Sequence, residues 1–107
     1  MLREQSYLIL LALSDGPLHG YGVIKAVAEI SEGRVKLGPG TLYGALDRLA
    51  GEGLVAVVKE EVVGGRHRRY YDLTGQGRGV LVEETARLSR LAVTAHQRLK
   101  LQPGWGT

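Results

Sequence analysis

With 107 residues, no Cys and a net charge of +3, the chain has room for one modest core. It excludes a disulfide frame, a thiolate metal site and a cysteine nucleophile. The longest apolar run, Leu8 to Leu13, is far short of the roughly 20 residues that span a bilayer. Arg3 and Glu4 precede that run and no small-residue cleavage site follows it, so it reads as a buried helix, not a signal peptide. A cytoplasmic protein with no membrane partner is expected. Ten of the fourteen cations are Arg, and Arg66, Arg68 and Arg69 crowd one segment with His67 among them. Arg suits bidentate phosphate and base-edge contacts, although a mildly basic balance alone is a weak sign of nucleic-acid binding.

Residues 3–14 carry a helical apolar pattern. Leu2, Tyr7, Leu8, Leu11 and Ala12 make a broad stripe that Ile9, Leu10 and Leu13 widen, as in a helix buried on most sides. Asp15-Gly16-Pro17 ends it. A second helix starts near His19 or Gly20 and runs to about Ser31, with Tyr21, Ile24, Val27, Ala28 and Ile30 on its apolar face.

The third helix opens at Gly38-Pro39-Gly40 and stops at Glu52-Gly53. Leu42, Ala45, Leu46 and Leu49 fall on one face; Gly40, Gly44, Asp47 and Gly51 fall on the other. Tyr43 flanks the bare face on one shoulder, Thr41 and Arg48 on the other. Interior helical glycines cost roughly 0.5–1 kcal/mol each relative to Ala. Close approach to a partner surface would offset that cost.

After Gly53 the chain turns to strand composition. An apolar, Val-rich run over 54–58 is followed by Lys59-Glu60-Glu61 and Val62-Val63, then by the hairpin signal Gly64-Gly65. The return strand covers 66–73. A two-residue turn sets Val63 opposite Arg66, Glu61 opposite Arg68 and Glu60 opposite Arg69. Tyr70 and Tyr71 alternate across the strand, so at least one points inward. Thr74 is a suitable N-cap for the last helix, whose first turns Gly75, Gly77 and Gly79 weaken. Leu81, Thr85, Leu88, Ala92, Ala95 and Leu99 then follow the 4-3-4-3-4 spacing of a coiled-coil seam. A helix of over twenty residues is about 30 Å long and outruns a small domain, so part of this seam serves a second copy.

Three short helices, a hairpin and a long helix predict a mainly α fold with a small β-hairpin: a winged helix-turn-helix plus a long C-terminal dimerisation helix. The expected division is 1–74 for DNA binding, 75–101 for dimerisation and a loose tail over 102–107 that holds Trp105. In this arrangement one helix enters the major groove and the wing sets basic side chains on the adjacent backbone.

The run Gly16-Pro17-Leu18-His19-Gly20-Tyr21 is followed by Gly38-Pro39-Gly40-Thr41-Leu42-Tyr43, Leu46-Asp47-Arg48-Leu49, Glu52-Gly53-Leu54-Val55, Gly65-Arg66 and Tyr70-Tyr71-Asp72-Leu73-Thr74. In that order and spacing these motifs resemble the PadR-like transcriptional regulators, over roughly residues 3 to 100. The resemblance implies a dimeric repressor that binds double-stranded operator DNA and is released by a small aromatic or drug-like effector. By position it implies Tyr21 at the helix-turn-helix entry, Thr41 and Tyr43 on the recognition helix, Arg48 behind them and Arg66 on the wing. Two departures stand out. Gly44 occupies a position where many members have Pro. The terminal helix has Leu88, and no Trp, where a drug-stacking subgroup has Trp.

The expected DNA-contacting set is therefore Tyr21, Lys36, Thr41, Tyr43, Gly44, Arg48, Arg66, His67, Arg68 and Arg69. Several members keep a second reading open. Tyr43 contacts DNA or is a half-buried rim residue; Arg66, His67, Arg68 and Arg69 meet phosphate or form a solvated edge that discourages sheet aggregation. Thr41 caps the helix start or meets phosphate, or both; Arg48 contacts DNA or pairs with Asp47 or Glu52. His19, His67 and His96 lack metal-ligand spacing, Gly38-Pro39-Gly40-Thr41 is not a phosphate loop, and nothing pairs a nucleophile with a base. No cofactor, metal or catalysis is expected. The alternative class is a winged-helix module for protein–protein assembly without DNA. It explains the heptad helix but leaves the glycine face and the basic wing without a purpose.

Overall fold

The structure, a computed structural model, describes residues 2–101. The chain forms α1 (Glu4–Ala12), a 3-10 turn (Leu13–Asp15), β1 (Leu18–His19), α2 (Gly20–Ile30), α3 (Pro39–Gly51), β2 (Val55–Val63), β3 (Arg66–Leu73) and α4 (Gly75–Leu99). The winged helix-turn-helix order is thus present, with one correction. The expected two-stranded hairpin is part of a three-stranded antiparallel sheet of order β1-β3-β2. Leu18 pairs with Tyr71 and His19 with Tyr70. Two residues between Pro17 and a helix carry no alternating pattern, so only tertiary pairing makes them a strand.

The helices form as their local chemistry dictates. Pro39 occupies the first turn of α3, where its missing N–H costs nothing. His19 caps α2, its Nδ1 accepting from Gly22 N–H at 3.2 Å. Thr74 caps α4: its Oγ1 accepts from Gly77 N–H at 2.9 Å and donates to Gly53 O at 2.6 Å. The core is one cluster. Ile9, Leu10 and Leu13 meet Val23 and Val27 of α2 and Leu42, Leu46 and Leu49 of α3, all at 1% exposure or less. That burial face of α3 is the one its periodicity defines. Tyr71 joins the core from β3 while Tyr70 stays half-buried.

The hairpin register is the one the two-residue turn requires. Val63 faces Arg66, Glu61 faces Arg68 and Glu60 faces Arg69. Gly64 and Gly65 both have positive φ, at +57° and +78°, as the turn demands. A bulge at Val58 then shifts the pairing, so that Lys59 faces Tyr70 and Val57 faces Tyr71. Bulges twist and bend a strand, and this one separates the core end of the hairpin from the exposed wing.

Of α4, Gly77, Leu81 and Glu84 are buried. Leu81 belongs to the chain's own core, so the seam open to another copy begins after it. Thr85 is also engaged within the chain, its hydroxyl 2.7 Å from that of Tyr7 on α1. Glu84 holds Arg87 through two bonds, 2.7 Å from Nε and 2.9 Å from Nη2. Beyond them α4 leaves the core: Leu91 and Leu99 are 57% and 65% exposed, and the molecule extends 56 Å along its long axis against 27 and 22 Å across. Lys100 ends the helix in a left-handed turn. Trp105 and the tail expected over 102–107 lie outside the described residues. Among the described residues no helix is long and apolar enough to cross a membrane.

Gly77 is not a weak spot of the helix. A Cβ there would collide with the Leu54 carbonyl, so the missing side chain lets α4 approach the start of the wing. Gly77→Ala is expected to lower stability by roughly 1–3 kcal/mol through overpacking. Gly79→Ala, where a Cβ meets nothing within 4 Å, should raise it by up to about 1 kcal/mol. Urea denaturation of both variants checks the contrast.

Candidate nucleic-acid interface

The outer face of α3 is open. A Cβ placed on Gly40, Gly44 or Gly51 would meet no atom within 4 Å, and Asp47 between them is exposed. This face lacks side chains although nothing in the chain crowds it. Alanine would fit at all three sites and favour the helix. The glycines therefore leave room for something outside the chain.

Tyr43 stands at the edge of that face, 45% exposed. Its ring and hydroxyl rest against Gly20, where a Cβ would overlap them. It is both a packed rim residue and an outward-facing one, because the first glycine of α2 forms its seat. Tyr21 is 70% exposed and its ring lies parallel to that of His19, with centroids 6.4 Å apart. His19 also meets Tyr70 edge-on at 5.5 Å.

The wing closes on the same side. A cleft of about 380 Å³ between α3 and β3 is lined by Tyr43, Asp47, His67, Arg69 and Tyr71. A second, of about 200 Å³, brings His19, Gly20 and Tyr21 against Arg66 and Arg68, with Tyr43, His67 and Arg69 shared between the two. Thus Tyr21, Tyr43, Arg66, His67, Arg68 and Arg69, far apart in sequence, line one continuous surface. Their commitments differ. Arg69 Nε donates to Glu60 Oε1 at 3.0 Å, which holds its guanidinium along the wing. Arg66 and His67 make no hydrogen bond or ion pair among the described residues, and Arg68 feels only the Glu61 charge across the ladder. The wing therefore presents cations that an incoming anion does not have to strip from partners.

Four expected residues lie apart from these clefts. Gly44 lies on the open face of α3 and lines neither. Thr41 and Lys36 are exposed and line neither. Arg48 turns back to α1, its Nη2 donating to the buried Ser6 Oγ at 3.3 Å. It pairs with neither Asp47 nor Glu52, so this side chain ties α3 to α1 in the first place. Outside the expected set, His19, Gly20, Asp47 and Tyr71 also line the clefts, beside Val63 of the wing tip. Asp47 was legible, one helical turn after Tyr43 on the bare face. His19, Gly20 and Tyr71 come in only through the β1–β3 pairing.

Wing electrostatics carry one pH-sensitive joint. Tyr70 Oη donates to Glu61 Oε1 at 2.7 Å and Lys59 Nζ lies 3.3 Å from Oε2. The Tyr70 hydroxyl first and the Lys59 ammonium second hold the Glu61 carboxyl below its ordinary value. A lowered carboxylate pKa adds stability that is present above the ordinary value and lost as pH falls through the lowered one. Protection of the hairpin amides, corrected for the intrinsic exchange rate at each pH, should therefore fall as pH drops below about 4.5. Glu61→Gln should remove that pH dependence, which exchange followed by NMR would show.

The model of the transcriptional regulator PadR-like family matches residues 9–83 of this chain. A transcriptional regulator of Mycobacterium tuberculosis is 39% identical over 84 residues, covering 78% of this chain and 75% of that protein. An uncharacterised 37.1 kDa protein of a Streptomyces fradiae transposon is 46% identical over 90 residues, 84% of this chain but 24% of the relative. Among solved structures, Bacillus subtilis PadR in complex with operator DNA superposes with a TM-score of 0.69 at 25% identity, over 78% of this chain and 47% of that one. The chain thus spans about a quarter of the Streptomyces relative and just under half of the Bacillus protein.

Proposed function

This chain belongs to the PadR-like family of transcriptional regulators, and from that premise we propose that it is a homodimeric, sequence-specific DNA-binding repressor acting in the cytoplasm. Residues 1–74 bind the operator and 75–101 hold two copies together. The observation that carries the reading is the glycine-bare face of α3 beside a wing whose Arg66 and Arg68 are uncommitted, with Tyr43 between them. A groove floor approaches closely where side chains are absent, and Arg66, Arg68 and Arg69 meet the flanking phosphates. Lys36, Thr41 and the remaining donors of Arg48 serve the other side of α3.

The apolar residues that α4 leaves exposed support dimerisation. Leu88, Leu91 and Leu99 are more than a third exposed, and Ala92 and Ala95 between them are small enough for close packing. Two copies joined there set two recognition helices on successive major grooves of a pseudo-palindrome, about 10 bp apart or a small multiple of it. The place for a small aromatic or drug-like effector is beside that seam, in a groove of about 300 Å³ lined by Leu2, Glu4, Tyr7, Glu84, Arg87 and Leu88.

Selection from random-sequence DNA tests the proposal. The full chain should enrich a two-fold symmetric site, and sedimentation should find two copies on it. No enriched sequence at low salt would leave an assembly module as the better reading. On the selected site, Arg66→Ala and Arg68→Ala should each reduce the slope of log K against log salt by about 1. Tyr43→Ala should weaken binding by roughly 1–3 kcal/mol if it touches a base. An unchanged salt slope would remove the wing from the interface.

A further inference from the structure

We propose that Asp47 is a specificity-determining residue of α3 that selects cytosine in the major groove. The proposal rests on the DNA-binding reading of α3 above. Asp47 is exposed and makes no hydrogen bond or ion pair among the described residues. It follows Tyr43 by one helical turn and lines the same cleft against the wing. Arg69, the arginine that lines that cleft, is held by Glu60 at 3.0 Å, and Asp47 has no ion pair among the described residues. Gly44 and Gly51 flank it on the bare face, where even a Cβ would meet nothing within 4 Å. Asp47 is therefore a charged side chain set among the glycines of that face, with open space on either side.

A carboxylate is ill suited to a surface that meets phosphates, since it repels them. Its chemistry fits the groove floor instead. An ionised carboxylate only accepts hydrogen bonds. In the major groove, guanine presents two acceptors and thymine an acceptor and a methyl group; both repel or ignore it. Adenine offers its amino donor beside the N7 acceptor, which faces the second carboxylate oxygen. Cytosine offers the N4 amino group without an acceptor of its own beside it. The wing arginines hold the backbone, so a wrong base under Asp47 is discriminated by an unpaired buried charge, not by loss of docking.

Parallel selections from random DNA by the full chain, by Asp47→Ala and by Asp47→Asn test this. The wild-type site should show cytosine preferred about 5-fold or more at one position per half-site. Asp47→Ala should flatten that position and leave the others intact. Asp47→Asn should move the preference to adenine, because an amide pairs bidentately with its N6 and N7. Asp47 lies on the surface, and matching thermal melts will show that both variants fold. Overturning results are an unchanged preference in both variants, or an Asp47→Ala protein that binds every sequence more tightly with its base preference kept. The second result would make Asp47 only a charge brake. Failure of the wild type to enrich any sequence would instead sink the DNA-binding reading itself.

Discussion

The two-residue pairing of Leu18–His19 with Tyr70–Tyr71 ties the wing to the helices. It is a small contact on which much depends. Tyr71 anchors it in the core at 2% exposure. His19 serves it twice, as a strand residue paired with Tyr70 and as the cap of α2. Because the cap fixes where α2 begins, it also places Gly20 under the Tyr43 ring. One short strand thus aligns the wing, the start of α2 and the exposed edge of α3. Without it the hairpin would join the core only through the ends of its own strands, and an isolated hairpin is marginal in water.

Glycine is used in two opposite ways. Gly20 and Gly77 are filled sites: the Tyr43 ring occupies one and the Leu54 carbonyl the other. They tighten packing within the chain. Gly40, Gly44 and Gly51 are empty sites, with nothing nearby to fill them. They cost helix stability with no contact at the glycines themselves in return, and tight hydrophobic seating of Leu42, Leu46 and Leu49 offsets that loss. The helix is held from behind so that its front can stay bare. Arg48 strengthens the same arrangement by tying α3 to Ser6 of α1.

The long helix divides by function along its length. Its first half is core, through Gly77, Leu81 and the Glu84–Arg87 pair, with Thr85 bonded to Tyr7. Its second half carries apolar side chains into solvent. A helix with a buried base and an exposed apolar end transmits the position of one element to another rigidly. On the dimer reading, whatever alters the α4 seam would shift the spacing of two α3 faces through a contact as short as Tyr7 with Thr85.

The sequence by itself determined the order of the four helices and the hairpin, the buried face of α3, the hairpin register and the family. Each follows from local periodicity, turn chemistry or motif spacing. Val63 opposite Arg66 needs only a two-residue turn; Leu42, Ala45, Leu46 and Leu49 need only a helical period. The tertiary structure alone decided which side of α3 the wing covers, that Arg48 faces α1, that Gly77 is a contact point, and that Asp47 shares a cleft with Arg69. Arg48 and Gly77 meet partners distant in the chain, Ser6 and Leu54, and the wing reaches α3 through the bulge at Val58 and the pairing of β1 with β3. Both are long-range: a two-residue strand has no pattern of its own, and a bulge appears only when a strand meets its partner.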